Sequence, residues 1–255
     1  MKLHHREVGE GTPVLILHGL FGSSDNWMSI GRKLGEQYKV YMPDLRNHGK
    51  SPWSNDWNYD FMAQDVLEFV QTHAIHQPII IGHSLGGKVA MLFTARYYAE
   101  ETQKLIVVDI APKAYPVHHD QILEALISIN LDQVESRQEA DEQLARYLPD
   151  KSVRQFLLKN LNRDQENRYS WQINLEVIKE KIGIVGEPFP EDLSWDKPTL
   201  FIRGRLSNYI KDQDIDLIKK HFPQSQLSTL ENTGHWIHAE KPAEFLEITQ
   251  NFLTA

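Results

Sequence analysis

The 255-residue chain contains no cysteine. That excludes disulfides, thiolate zinc centres and cysteine nucleophiles, so any covalent catalysis must use another residue. The chain also lacks a basic excess: 27 Lys and Arg stand against 35 Asp and Glu, a formal charge of −8. A nucleic-acid partner, which needs a basic face, is set aside on that ground. No apolar run is long enough to span a membrane, and the start, Met1-Lys2-Leu3-His4-His5-Arg6, has no apolar leader segment. Internal repeats, low-complexity tracts, charge blocks and the His-Glu-x-x-His metal motif are all missing. The expectation is a soluble, cytoplasmic chain without a metal. With 41% hydrophobic residues it can bury a substantial core, and its length suits one α/β domain carrying an insertion.

What is present is organised around one stretch. The β-branched run Ile79-Ile80-Ile81 stops at Gly82-His83-Ser84-Leu85-Gly86, and a helical pattern, Lys88 to Ala95, follows at once. This is G-x-S-x-G between a strand and a helix, the context in which the motif forms a nucleophile turn. The glycines permit strand and helix to cross closely, and the serine hydroxyl projects from the turn. Read without that context, the same letters describe a Gly-rich connection that happens to hold a serine. Other apolar runs, Val14–Leu17, Lys39–Met42, Leu105–Val108 and Pro198–Ile202, read as buried strands, with Gln226–Leu230 a last strand and Leu3–Val8 an edge. Between them lie helical patterns at Tyr59–His73 (Phe61, Val66, Phe69 and Val70 as its apolar side), Asp212–Phe222 and Pro242–Phe252. Strand and helix in alternation predict a mostly parallel, doubly wound α/β sheet.

From about Val117 to Ile182 the pattern is amphipathic and helical, with Leu123, Leu126 and Ile127, then Leu144 and Leu148, then Phe156, Leu157 and Leu161 at helical spacing. We expect residues 113–189 to be a helical cap inserted into a core of residues 1–112 and 190–255.

A serine hydroxyl needs a base, and the base needs an orienting acid. After a nucleophile turn of this kind the partners follow in the order acid, then histidine. His235, in the loop Asn232-Thr233-Gly234-His235-Trp236 after the last strand, is the expected base, with His238 the competitor. His4, His5, His73, His76, His118 and His119 read as surface or capping residues. The acid usually follows the strand ending at Ile202, yet that loop reads Gly204-Arg205-Leu206-Ser207-Asn208-Tyr209 and holds no carboxylate. One strand earlier, Asp109 ends the run Leu105–Val108, and a charge there demands a partner. Asp109 is assigned as the acid, with Asp212 the alternative. Ser207, standing where the acid normally would, either hydrogen-bonds His235 or Asp109 or has no role. The two backbone donors of an oxyanion hole are assigned to Leu85 and, in the loop His18-Gly19-Leu20-Phe21, to Leu20, with Phe21 the alternative.

His18-Gly19-Leu20-Phe21-Gly22-Ser23, Gly82-His83-Ser84-Leu85-Gly86-Gly87 and Gly234-His235-Trp236 together resemble the α/β-hydrolase superfamily. With Asp44-Leu45-Arg46-Asn47-His48-Gly49, Asp109-Ile110-Ala111-Pro112 and the Glu240-Lys241-Pro242 end of the last loop, the chain is similar to small bacterial acyl esterases of the YbfF type. The resemblance implies that the Asp of Asp-Ile-Ala-Pro, here Asp109, is the acid. It also implies an esterase or thioesterase for short- to medium-chain acyl groups, working without a cofactor on a small-molecule substrate. The loop Asp44–Ser51 is expected to support the site rather than to react. Other activities of this fold, such as C–C bond hydrolysis or acyl transfer, and a silent ligand-binding module are the rival readings.

Overall fold

Alternation along the strands sorts the apolar residues into two layers. The computed structural model covers residues 1–255 and contains strands β1 (His5–Val8), β2 (Pro13–Leu17), β3 (Lys39–Pro43), β4 (Ile79–His83), β5 (Lys104–Val108), β6 (Leu161–Arg163), β7 (Tyr169–Trp171), β8 (Thr199–Gly204) and β9 (Ser225–Leu230). Seven of these make one sheet in the order β1-β3-β2-β4-β5-β8-β9. Every neighbouring pair is parallel except β1 with β3. Successive side chains point to opposite faces. Leu15, Leu17, Ile80, Leu105, Val107 and Phe201 therefore join one buried layer, and Val14, Ile16, Ile81, Ile106, Val108 and Ile202 the other. Because both faces are covered, these strands read as unbroken apolar runs. Each fully buried Ile or Leu contributes roughly 1.5–3 kcal/mol.

The helices are α1 (Met28–Leu34), α2 (Tyr59–Thr72), α3 (Leu85–Leu92), α4 (Asp120–Ile127), α5 (Arg137–Leu144), α6 (Lys151–Leu158), α7 (Leu175–Glu180), α8 (Ile215–His221), α9 (Ile237–Glu240) and α10 (Pro242–Thr254). Helices α2 and α3 cover the first layer, while α1 and α10 cover the second. The Asn58 side chain caps α2 by accepting the Phe61 N–H at 2.8 Å. The buried face of α2 is Met62, Ala63, Val66, Phe69 and Val70. Phe61, expected on that face, is 36% exposed and lies against the Arg46 guanidinium instead. Helix α3 is buried along its whole length and ends in a wider turn over Phe93–Tyr97.

Between β5 and β8 lie α4 to α7, as the helical periodicity leads one to expect, but also the short antiparallel pair β6–β7. These three-residue strands, Leu161-Asn162-Arg163 and Tyr169-Ser170-Trp171, are too short and polar to show a period of two. Ile127 is 45% exposed, so only Leu123 and Leu126 of that trio are core residues. The segment reaches the loops at the carboxyl ends of the sheet strands. Asn160 Nδ2 donates to Phe21 O at 2.7 Å, and the Asn174 N–H donates to Asn47 O at 2.9 Å.

Candidate active site

Ser84 sits at the turn between β4 and α3 with φ 53° and ψ −117°. A positive φ is unfavourable for a side-chain-bearing residue. The turn is held by close backbone packing that admits only glycine on either side. A Cβ on Gly82 would lie 2.3 Å from Gly86 O, and one on Gly86 would lie 2.3 Å from Leu17 O. The Ser84 N–H donates to Val108 O at 3.0 Å, which ties the turn to β5.

Asp109 follows β5, is fully buried and also has a positive φ of 50°. Its Oδ1 accepts the Gly204 N–H at 3.2 Å. Its Oδ2 accepts the Ser207 hydroxyl and lies 2.7 Å from His235 Nδ1. A carboxylate can only accept, so His235 Nδ1 carries the proton and Nε2 is left with its lone pair free for a substrate or a hydroxyl. Ser207 Oγ in turn accepts the Tyr209 N–H at 3.2 Å. The Tyr209 ring stacks on His235, with centroids 4.1 Å apart and planes 21° apart. The loop bearing His235 is clipped by Glu240, whose carboxylate accepts the N–H groups of Gly234 (2.7 Å) and Trp236 (3.1 Å). His83 Nε2 lies 2.9 Å from His235 O and donates to it.

Ser84 Oγ has no hydrogen bond to His235; the two are neighbours through His83, whose ring is 4.7 Å from that of His235. In such sites the hydroxyl–imidazole bond commonly closes only when substrate is bound. The alternatives lie elsewhere. Asp212 is exposed and paired with Arg203 Nη2 at 2.6 Å, which holds its carboxyl below the usual range. His238 is buried and stacked on Trp27 with centroids 3.9 Å apart, and burial, with His235 nearby, pushes its pKa down to about 3. It is a neutral packing residue.

His18 accepts the Leu45 N–H on Nε2 at 2.9 Å, and burial keeps it neutral. It fastens the β2 loop to the β3 loop. In that second loop Asp44 accepts the N–H groups of Ser24 (2.6 Å) and Lys50 (2.9 Å). Arg46 forks onto buried Asp65 at 2.5 and 2.7 Å. The loop is thus occupied by its own hydrogen bonds. No cluster of three or more His, Asp and Glu is spaced to hold a metal ion.

Ser84 opens into a cavity of about 30 Å³ walled by Leu20, Leu85 and Ile110 from the core, and by Tyr115, Pro116, Val185 and Gly186 from the segment between β5 and β8. The N–H groups of Leu20 and Leu85 have no acceptor within the protein, which leaves both free for an oxyanion. Phe21 also has a free N–H but does not line the cavity. An outer chamber of about 560 Å³, with Lys113, His118 and Lys211 in its wall, lies beyond Tyr115, Pro116, His119 and Tyr209. His119, expected as a surface or capping residue, stands at the N-terminal cap position of α4, but its side chain makes no capping bond: Nδ1 is buried without a partner at the boundary between the two spaces. Tyr209 and Glu240 were also missed as parts of the site. Tyr209 lies in the loop after β8 and enters the site only by stacking on His235, and Glu240 needs the folded turn to reach the Gly234 amide.

A strained serine turn on a parallel sheet, with a His–Asp pair reaching from the ends of β9 and β5 across the end of β8, defines a hydrolase of the α/β class. A family profile described as the alpha/beta hydrolase fold matches residues 12–242, and the chain belongs to that family. It is 37% identical to Esterase YbfF of Escherichia coli K12 over 95% of this chain and 93% of that one. It is 39% identical to the sn-1-specific diacylglycerol lipase ABHD11 of Danio rerio, over 96% of this chain and 79% of that one. Among solved structures, an esterase from a marine microorganism superposes with a TM-score of 0.95 at 42% identity, covering 98% of this chain and 99% of that one.

Proposed function

We propose that this chain, an esterase- and lipase-type α/β hydrolase, cleaves short- to medium-chain acyl esters or thioesters through Ser84, His235 and Asp109. The observation that carries the reading is the bond of His235 Nδ1 to the buried Asp109 carboxylate at 2.7 Å. It fixes the tautomer whose Nε2 can take a proton from Ser84. Ser84 Oγ then attacks the acyl carbonyl, and the tetrahedral oxyanion accepts hydrogen bonds from the N–H groups of Leu85 and Leu20. His235 Nε2–H protonates the leaving alcohol or thiol, and an acyl-Ser84 ester remains. Water, deprotonated by His235, attacks that ester and releases the acid and free Ser84. Ser207 holds the Asp109 oxygen that faces His235 and is auxiliary to the triad.

Residues 113–189 act as a cap in this reading. The Ser84 cavity of about 30 Å³ holds little more than one water, so an acyl chain must move the wall formed by Tyr115, Pro116, Val185 and Gly186. The wall is mostly apolar, which suits an acyl chain. The test is twofold: labelling by a fluorophosphonate, which needs an activated serine, and turnover of p-nitrophenyl esters from acetyl to dodecanoyl. We expect labelling that disappears in Ser84→Ala and a turnover optimum at short to medium chain length. A wild-type protein that neither labels nor hydrolyses any ester or thioester contradicts the proposal.

A further inference from the structure

Lys88 lies one turn into α3, and its backbone N–H donates to Ser84 O at 3.1 Å. It is only 3% exposed, yet no carboxylate pairs with it. Instead its Nζ donates to two backbone carbonyls, Lys113 O at 2.6 Å and Glu187 O at 2.5 Å. Those carbonyls stand at opposite ends of the segment between β5 and β8, where the outgoing and returning chains run side by side. There the Tyr115 N–H donates to Gly186 O at 2.9 Å. The ring of Tyr115 lies 5.2 Å from Nζ. Immediately beyond this neck, Tyr115, Val185 and Gly186 form the wall of the Ser84 cavity. Burying an amine is costly compared with an apolar side chain of the same size, so packing alone does not account for a lysine here.

We propose that Lys88 is a positioning residue that clamps both ends of the cap to the nucleophile helix and thereby sets the width of the acyl chamber. Its effect on catalysis rests on the serine-hydrolase reading above; the clamp itself does not. The groups facing Lys88 are Tyr59 from α2, Tyr115 and Lys113 from the start of the cap, and Glu187 from its end, with Lys113 itself paired to Asp214 at 2.5 Å. Burial holds Lys88 down at about 7, with Glu187 opposing and Lys113 adding to the effect. An opened neck would expose the amine and return it toward its ordinary 10.5. The closed form therefore binds the proton less well, and raising the pH above about 7 favours closure. A neutral amine carries two N–H donors, matching the two carbonyls.

The experiment compares wild type, Lys88→Met and Lys88→Arg by kcat/KM for butyryl and decanoyl p-nitrophenyl esters across pH 6 to 9. Both esters use the same Ser84 and His235, so the ratio of the two cancels their titration. We expect the butyryl preference of the wild type to sharpen with rising pH. It should fall about tenfold and become flat in Lys88→Met, the loss of one or two hydrogen bonds from a neck. Lys88→Arg keeps the donors but cannot deprotonate, so it should hold the wild type's low-pH ratio throughout. In parallel, hydrogen exchange at the Tyr115 amide should speed up in Lys88→Met at fixed pH, a readout independent of turnover. Equal exchange in wild type and Lys88→Met overturns the clamp even if no ester is cleaved, and an unchanged ratio at every pH overturns its role in selectivity. Failure of all three proteins to turn over any ester, with faster exchange in Lys88→Met, instead removes the serine-hydrolase reading and leaves the clamp standing.

Discussion

The core edge and the segment above it are held by different forces. At the core edge, Ser84, Asp109 and His235 leave the ends of β4, β5 and β9, and the first two are fixed by backbone bonds to the neighbouring strand. Ser84 N–H reaches Val108 O at 3.0 Å, and Asp109 N–H reaches Ile202 O at 2.8 Å. Between β5 and β8 the chain packs its apolar residues against the first core layer and is pinned locally by polar groups, among them the side chains of Asn160, Asn174, Tyr59 and Lys88. A sheet edge buried on both faces cannot shift one residue without turning its core outward, whereas a side-chain clasp can open at a cost of about 1 kcal/mol each. The division suits the proposed acyl hydrolysis, in which Ser84, Asp109 and His235 stay fixed under a wall that yields to the acyl chain.

Substitutions on the two sides of that division should differ in kind. Ser84→Ala, at the rigid edge, should lower kcat by at least about 10⁴-fold with the melting temperature little changed. A fall of less than tenfold would move the nucleophile elsewhere. The next effect is on stability, and it concerns the histidines that brace the edge. Burial holds His48 and His238 neutral, each with a pKa of about 3 against an ordinary 6.5. The unfolded chain takes up these protons below about 6.5 and the folded chain refuses them. Stability should therefore fall as pH drops from 6.5 toward 3, by about 2 kcal/mol per histidine at pH 5. Urea midpoints at pH 7 and pH 5 measure this, and His238→Gln should flatten the drop; a slope unchanged by that substitution contradicts it.

Smaller effects sharpen the contrast. Ser207→Ala removes a hydroxyl from Asp109 Oδ2 but leaves the His235 bond, so kcat should fall about tenfold while KM stays constant. Asn160→Ala, on the yielding side, breaks the bond to Phe21 O. It should lower KM for longer esters a few-fold while kcat is retained. Steady-state kinetics on matched ester pairs decide both, and a kcat effect in Asn160→Ala would blur the division.

The same division governs what the amino-acid pattern reveals. Runs such as Ile79-Ile80-Ile81 and Leu105–Val108 read clearly, because burial on both faces leaves one kind of residue allowed. The placement of Ser84 in a tight strand–helix turn and of His235 in the loop after β9 was legible because the turn chemistry and chain order restrict them. The pairing of Asp109 with His235 was legible because a charge ending an apolar strand needs a partner. Phe61 was misread because periodicity cannot see the Arg46 guanidinium that covers it. His119, Tyr209 and Lys88 were hidden for a different reason: each acts through a contact between segments distant in sequence. Lys88 reaches Glu187, 99 residues away, and a lysine in a helix ordinarily means solvent.

The displaced acid is the point on which the rest turns, and Asp109→Asn beside Asp212→Asn tests it most directly. An asparagine at 109 keeps an oxygen for the Gly204 N–H but no longer fixes the His235 tautomer. With p-nitrophenyl butyrate, kcat/KM should fall by about 10⁴ in Asp109→Asn and stay at the wild-type value in Asp212→Asn, both proteins remaining folded by circular dichroism. Near-normal turnover in Asp109→Asn, or a collapse confined to Asp212→Asn, would contradict a triad built on the end of β5.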